Sequence, residues 1–225
     1  MLDERLEAVA SFVSRGCRAA DIGTDHGYLA MELYRRDSSR RIIAADKNSG
    51  PCEAARKTLA AAGLEELIEV RQGDGLGALV PGEADTVCIA GMGGRLIADI
   101  LAGQPEIFRE LQRAVLQPQG GAEILRRWLY KHGWHIADEA LAQVDGRIYQ
   151  IILAQPGREQ LPSRLELQLG PVLLQKRGAL FAAHAGAHAA ACRKVLAGLQ
   201  RSSCPDVSRL EQLKREIAEL EALSK

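Results

Sequence analysis

At 225 residues, 47% of them hydrophobic, the chain can fold as one large domain or as a domain with an appendage, with a full buried core. Its 29 basic and 29 acidic residues cancel, so total charge singles out neither a polyanion nor a membrane surface as partner. The N-terminus carries no apolar signal core, and no apolar run is long enough to cross a bilayer. Cys17, Cys52, Cys88, Cys192 and Cys204 are odd in number, scattered and without Cys-x-x-Cys spacing. That usage points to a reducing cytoplasm and away from a structural zinc.

In chain order, Leu2, Leu6, Val9, Phe12 and Val13 recur at helical spacing and predict a helix ending near Gly16. Cys17–Asp21 predicts a first strand and Gly27–Tyr34 a helix. Between them, Asp21-Ile22-Gly23-Thr24-Asp25-His26-Gly27 is a strand end, a tight turn and a helix start, whose free N–H groups attract an anion. The dinucleotide fingerprint Gly-x-Gly-x-x-Gly is replaced by Asp-x-Gly-x-Asp-x-Gly. A carboxylate where pyrophosphate would sit repels phosphate and suits a cation. S-adenosylmethionine (SAM), with its ammonium, sulfonium and carboxylate, matches an acidic loop beside a helix start. The same residues also fit an ordinary strand–helix turn capped by Asp25.

Arg41–Asp46 predicts a second strand that again ends in a carboxylate, 25 positions after Asp21, where an acid can accept both hydroxyls of a ribose. Pro51 opens a helix that runs to Ala62 and stops at Gly63. Ile68–Arg71 is the third strand. Asp74, in Gly73-Asp74-Gly75, is placed to meet an adenine amino group, or is simply a turn residue. Asp85–Ala90 is a strand whose β-branched centre predicts burial on both faces. It runs into Gly91-Met92-Gly93-Gly94, with a helix from Arg95. Such a loop leaves room for a flat base, or for close packing beneath a cofactor. Ala114–Pro118 is the fifth strand and Leu125–His132 a helix. Trp134–Leu141 and Arg147–Leu153 form a terminal hairpin around Asp145-Gly146.

Strands alternating with helices, then a hairpin, predict an α/β, Rossmann-like doubly wound sheet. Ligands on such sheets bind beyond the carboxyl ends of the strands, and Asp21, Asp46, Asp74 and Gly91 all fall there. The candidate cofactor set is therefore Asp21, Gly23, Asp25, His26, Gly27, Tyr28, Asp46, Lys47, Asp74, Gly75, Ala90 and Gly91. Gly91 and Met92 form the candidate target-base loop; no general base is assigned and no metal is expected.

Pro156-Gly157 and Pro162-Ser163 mark a linker, which divides the chain into residues 1–155 and 156–225. From about Val172 the chain is helical. Leu210, Leu213, Ile217 and Leu220 space as a short heptad seam, and Gly198–Pro205 is a turn, so a C-terminal coiled-coil hairpin is predicted. From Pro156 onward there are 11 basic against 7 acidic residues, a net of +4 that suits a nucleic-acid contact or a solvated helical face. His184 and His188 stand at i, i+4 without a carboxylate partner, which favours a helix surface over a metal site.

The segments Asp21-Ile-Gly-Thr-Asp-His-Gly-Tyr-Leu, Gly73-Asp-Gly-Leu, Ile89-Ala-Gly-Met-Gly-Gly and Leu116-Gln-Pro resemble the bacterial tRNA adenine-N1 methyltransferases that modify position 22. The resemblance extends to Arg5-Leu6, to Tyr149 and to Gly170-Pro171; Gln119 stands where the family often has Asn. It implies a class I SAM-dependent methyltransferase domain, a helical tail that helps hold tRNA, and methyl transfer to adenine N1 in the cytoplasm, with no obligate protein partner evident. Methylation of another substrate, or a non-catalytic SAM-binding adaptor, are the competing expectations.

Overall fold

Near-continuous apolar runs punctuated by turn glycines build the first two thirds of the chain into one sheet with helices packed on it. The computed structural model describes residues 2–201 and 206–224, and contacts divide the chain into residues 1–161 and residues 162–225. In the first unit the strands are β1 (Arg18–Ile22), β2 (Arg41–Asp46), β3 (Ile68–Gln72), β4 (Thr86–Gly93), β5 (Arg113–Gly120), β6 (Trp134–Val144) and β7 (Arg147–Pro156). Their order is β3-β2-β1-β4-β5-β7-β6. The first five are parallel, and β7 inserts antiparallel between β5 and β6. Strand order reverses between β1 and β4, the place where a doubly wound sheet opens a crevice for ligands.

The helices of this unit are α1 (Glu4–Ser11), α2 (Tyr28–Arg36), α3 (Ser49–Ala61), α4 (Gly94–Ala102), α5 (Pro105–Glu110) and α6 (Ala122–Lys131). α2 packs with α1 and α3, while α4 packs with α5 and α6. Sandwiched strands need apolar side chains on both faces, as in β2, where Ile42 to Ala45 are all buried. Leu33 and Leu59 from the helices close over them without exposed surface. Each such side chain contributes roughly 1.5–3 kcal/mol of burial.

The structure corrects several expected boundaries. β4 does not stop at Ala90: Met92 pairs with Pro118 and Gly93 with Gly120, with register breaks around Gly91. The predicted 91–94 loop is therefore an irregular strand end, and α4 starts at Gly94. α3 begins at Ser49, before Pro51, because proline in the first turn lacks only an N–H that has no helical partner anyway. The short α5, with Pro105 at its start, has no counterpart in the predicted elements.

The second unit holds α7 (Arg164–Leu169), α8 (Pro171–Lys176), α9 (Phe181–Gln200) and α10 (Val207–Leu223). Ser163, read as linker, caps α7: its hydroxyl accepts the Glu166 N–H at 3.3 Å, and the Glu166 carboxylate accepts the Ser163 N–H at 2.7 Å. α9 and α10 run antiparallel, with Gly186 near Ser224 and Cys192 near Glu216. Leu213, Ile217 and Leu220 are buried along their seam and Leu210 is half-buried. Gly198 is helical rather than a turn residue, and residues 202–205, including Cys204, lie outside the described residues.

His184 is buried, not on a helix surface; its Nε2 lies 3.0 Å from the Leu169 carbonyl. Among the described residues no group of three His, Cys, Asp or Glu could hold a metal, and no helix is long and apolar enough to cross a membrane.

Candidate active site

A cavity of about 340 Å³ opens where β1 and β4 end. The turn after β1 contributes Asp21, Gly23, Asp25, His26, Gly27 and Tyr28; the end of β4 contributes Ala90, Gly91 and Met92. These nine are sequence-predicted site residues. Arg5 and Leu6 of α1, with Thr24 and Leu29, complete the wall. Asp46, Lys47, Asp74 and Gly75 do not line it.

The β1–α2 turn is anchored on β2: the N–H groups of Gly23 and Thr24 both donate to the Ala45 carbonyl, at 2.8 and 2.9 Å. This leaves Asp21 buried. Burial pushes its carboxyl up to about 6, with the help of negative Asp46. The Thr24 hydroxyl itself is buried and makes no hydrogen bond among the described residues. Gly27 precedes α2 and leaves its start without a side-chain cap. Asp25, one expected reading of which is a cap, is exposed and lies 3.5 Å from His26 Nε2, while the His26 ring stacks on Tyr28. A buried carboxyl and an uncapped helix start thus sit a few residues apart. That pairing suits a zwitterionic amino-acid group: the acid would attract an ammonium or sulfonium, and the helix N–H groups a carboxylate.

Asp46 ends β2, and Asp74 lies just beyond the end of β3. Asp46 is half-buried and uses one oxygen, Oδ1, for the Asn48 N–H at 2.8 Å and the Asn48 Nδ2 at 3.1 Å. Its backbone carbonyl accepts the Gly73 N–H at 2.9 Å, which ties the two strand ends together. The Lys47 side chain is exposed, and its carbonyl accepts from Gln72 Nε2 at 3.1 Å. Asp74 is exposed and its carbonyl accepts the Gly77 N–H at 3.0 Å, opening a 3-10 turn over Gly75–Ala78.

At the end of β4 the chain bulges. Gly91 has φ +78°, a conformation that glycine adopts without strain. Its N–H donates to Oε1 of the fully buried Gln117 at 3.0 Å, and Arg5 Nη1 donates to the same oxygen at 2.7 Å. The Arg5 guanidinium lies 5.8 Å from the centre of the Tyr149 ring. Met92 reaches across to the β1 turn, where a Cβ on Gly23 would come within 2.0 Å of its Cε. Arg5 and Gln117 thus belong to the site, although sequence spacing does not mark them. Both fall inside segments that carry the family resemblance, Arg5-Leu6 and Leu116-Gln-Pro, and Gln117 is also a polar residue closing an apolar strand.

A family model described as tRNA (adenine(22)-N(1))-methyltransferase (TrmK) matches residues 19–222. The chain belongs to this family. The Bacillus subtilis tRNA (adenine(22)-N(1))-methyltransferase is 37% identical over 185 residues, covering 80% of this chain and 78% of that one. A Streptococcus pneumoniae protein assigned as a tRNA (m1A22) methyltransferase superposes with a TM-score of 0.90 at 32% identity, with both chains fully covered. A second structure of that S. pneumoniae protein, in complex with SAM, gives a TM-score of 0.88. Class I methyltransferase architecture, SAM as cofactor and tRNA as the family's substrate therefore stand together. The cavity at the β1 and β4 ends fits that cofactor in the donors and acceptors it offers.

Proposed function

We propose that this chain transfers a methyl group from SAM to N1 of adenine 22 in tRNA, in the bacterial cytoplasm. The observation that carries the reading is the single cavity joining the acidic β1 turn to the glycine-rich β4 end, in a member of the tRNA (adenine(22)-N(1))-methyltransferase family. In this reading Asp21 and the start of α2 hold the amino-acid end of the cofactor. Asp46 accepts the ribose hydroxyls through the oxygen that Asn48 does not use, and Asp74 takes the adenine amino group. Gly91 and Met92 receive the target base, and residues 162–225 hold tRNA.

When bound, SAM supplies a methyl group on a positively charged sulfur. Adenine N1 already has a lone pair, which forms the new N–C bond as the C–S bond breaks, so positive charge passes from sulfur to the purine. No proton has to leave before attack, and positioning supplies most of the catalysis. N1 lies on the pairing edge, so the adenine has to be unpaired or turned out of its stack.

The test is incubation with methyl-labelled SAM and unmodified bacterial tRNA, followed by mapping of the labelled base. Label at N1 of adenine 22 is expected. Label on another base, or none on tRNA, would overturn the reading in favour of another substrate or a non-catalytic SAM-binding role.

A further inference from the structure

We propose that Gln117 and Arg5 are positioning residues that aim the Ala90 carbonyl at the exocyclic amino group of the target adenine. The inference rests on the function proposed above and names how its base would be read.

Gln117 Oε1 receives two donors, the Gly91 N–H at 3.0 Å and Arg5 Nη1 at 2.7 Å. Turning the carboxamide over would set its NH₂ against both donors, so the chemistry of the neighbours fixes which atom faces Gly91. Arg5 is itself fixed on two further sides, by Asp3 at 3.3 Å and by the Tyr149 ring. The clamp therefore links α1, β5 and β7 to one peptide, Ala90–Gly91.

That peptide is the last of β4 before its bulge. With its N–H fixed towards Gln117 on β5, a trans peptide puts the Ala90 carbonyl on the opposite side, facing β1. No peptide bond in the described chain is cis. Pairing of β1 with β4 ends at Ile22 and Ile89, so beyond that point the β1 side of β4 opens into the cavity. Gly91 stands in open space there, with no atom within 4 Å of where a Cβ would be.

A fixed carbonyl in that position is suited to a base that becomes cationic. As N1 gains its methyl group, the neighbouring exocyclic N–H becomes a stronger donor, and a preorganised acceptor then gains more in the transition state than in the ground state. It also distinguishes adenine from a purine that lacks the amino group.

The test compares single-turnover methylation of tRNA carrying adenosine or purine riboside, which lacks the amino group, at position 22. SAM affinity is measured by calorimetry, and circular dichroism checks the fold of each variant. Gln117→Met removes the acceptor at similar volume, whereas Gln117→Glu keeps an oxygen for both donors. Gln117→Met should slow adenosine methylation by about 10- to 100-fold, the range expected for losing a hydrogen bond to a charged group. It should leave SAM affinity unchanged and lose the preference for adenosine over purine riboside; Gln117→Glu should restore the preference. Arg5→Met leaves Gln117 in place but frees its carboxamide to turn, and should lose the preference as well. A folded Gln117→Met or Arg5→Met that keeps the wild-type preference would overturn the inference. Absence of methylation by the wild-type chain would instead overturn the proposed function.

Discussion

A fully buried carboxyl is costly to ionise, and Asp21 is such a group. Its ordinary value of 3.8 rises to about 6 in the folded chain. Between those values the folded state binds more protons than the unfolded state, so stability falls as pH rises from about 4 to about 6. The loss reaches about 3 kcal/mol and persists above that range. Asp21→Asn should remove this dependence, so that the variant gains stability over the wild type at pH 7.5 but not at pH 4. It should also weaken SAM binding, since a neutral amide does not attract a cation. Urea unfolding of both proteins at the two pH values checks this, and an identical wild-type-to-variant difference at both would exclude Asp21 as the titrating group. Asp46→Ala, at the neighbouring strand end, removes the acceptor proposed for the ribose hydroxyls. SAM affinity measured by calorimetry should fall by roughly 1–3 kcal/mol.

Two adjacent glycines at the start of α4 illustrate different constraints between elements. A Cβ on Gly94 would lie 2.3 Å from the Gly121 carbonyl oxygen and 2.8 Å from its carbon, so α4 meets the β5–α6 turn backbone to backbone. Gly94→Ala forces one element away from the other and should cost about 1–3 kcal/mol of stability. Gly93 has φ −64° and no atom within 4 Å of an added Cβ, so Gly93→Ala should melt with the wild type. Equal melting of Gly94→Ala and the wild type would show that α4 can shift freely. Elements of this kind were legible where a local rule decides them. The alternation of apolar runs with turn glycines marks β1 to β5, and Asp145-Gly146, with Asp145 at φ 49°, marks the turn between β6 and β7. The extension of β4 to Gly93 was not legible, because its pairing is with Pro118 and Gly120 some 26 residues away and not with its neighbours in sequence. For the same reason the β1 turn and the β4 end could be read as site residues, while Arg5 and Gln117, 112 positions apart, stood only inside segments of the family resemblance, with no spacing rule to bring them together. His184 shows the converse: its i, i+4 spacing from His188 is visible, but its burial against the Leu169 carbonyl depends on how α7 packs.

The whole chain carries no net charge, yet its two halves do not match. From Pro156 onward the balance is +4, and α9 and α10 expose Arg193, Lys194, Lys214 and Arg215. Some of this charge is neutralised locally, with Lys214 on Glu211 at 2.8 Å and Arg193 on Glu221. Ion pairs between exposed side chains are weak, so a polyanion can compete for these cations. Release of counterions from a nucleic acid then makes affinity depend steeply on salt. Residues 1–161 contain the whole sheet and every residue lining the β1–β4 cavity. A chain ending at Leu161 should therefore fold and bind SAM with the affinity of the full chain. Its affinity for tRNA should be lower by about tenfold or more, and the full chain should lose affinity as salt rises from about 50 to 200 mM more steeply than the shortened one. Calorimetry with SAM and filter binding with tRNA, run on both chains across that salt range, separate the two roles. Equal tRNA affinity and equal salt dependence would place the whole tRNA contact on residues 1–161. Loss of SAM binding in a folded, shortened chain would instead make residues 162–225 part of the cofactor site.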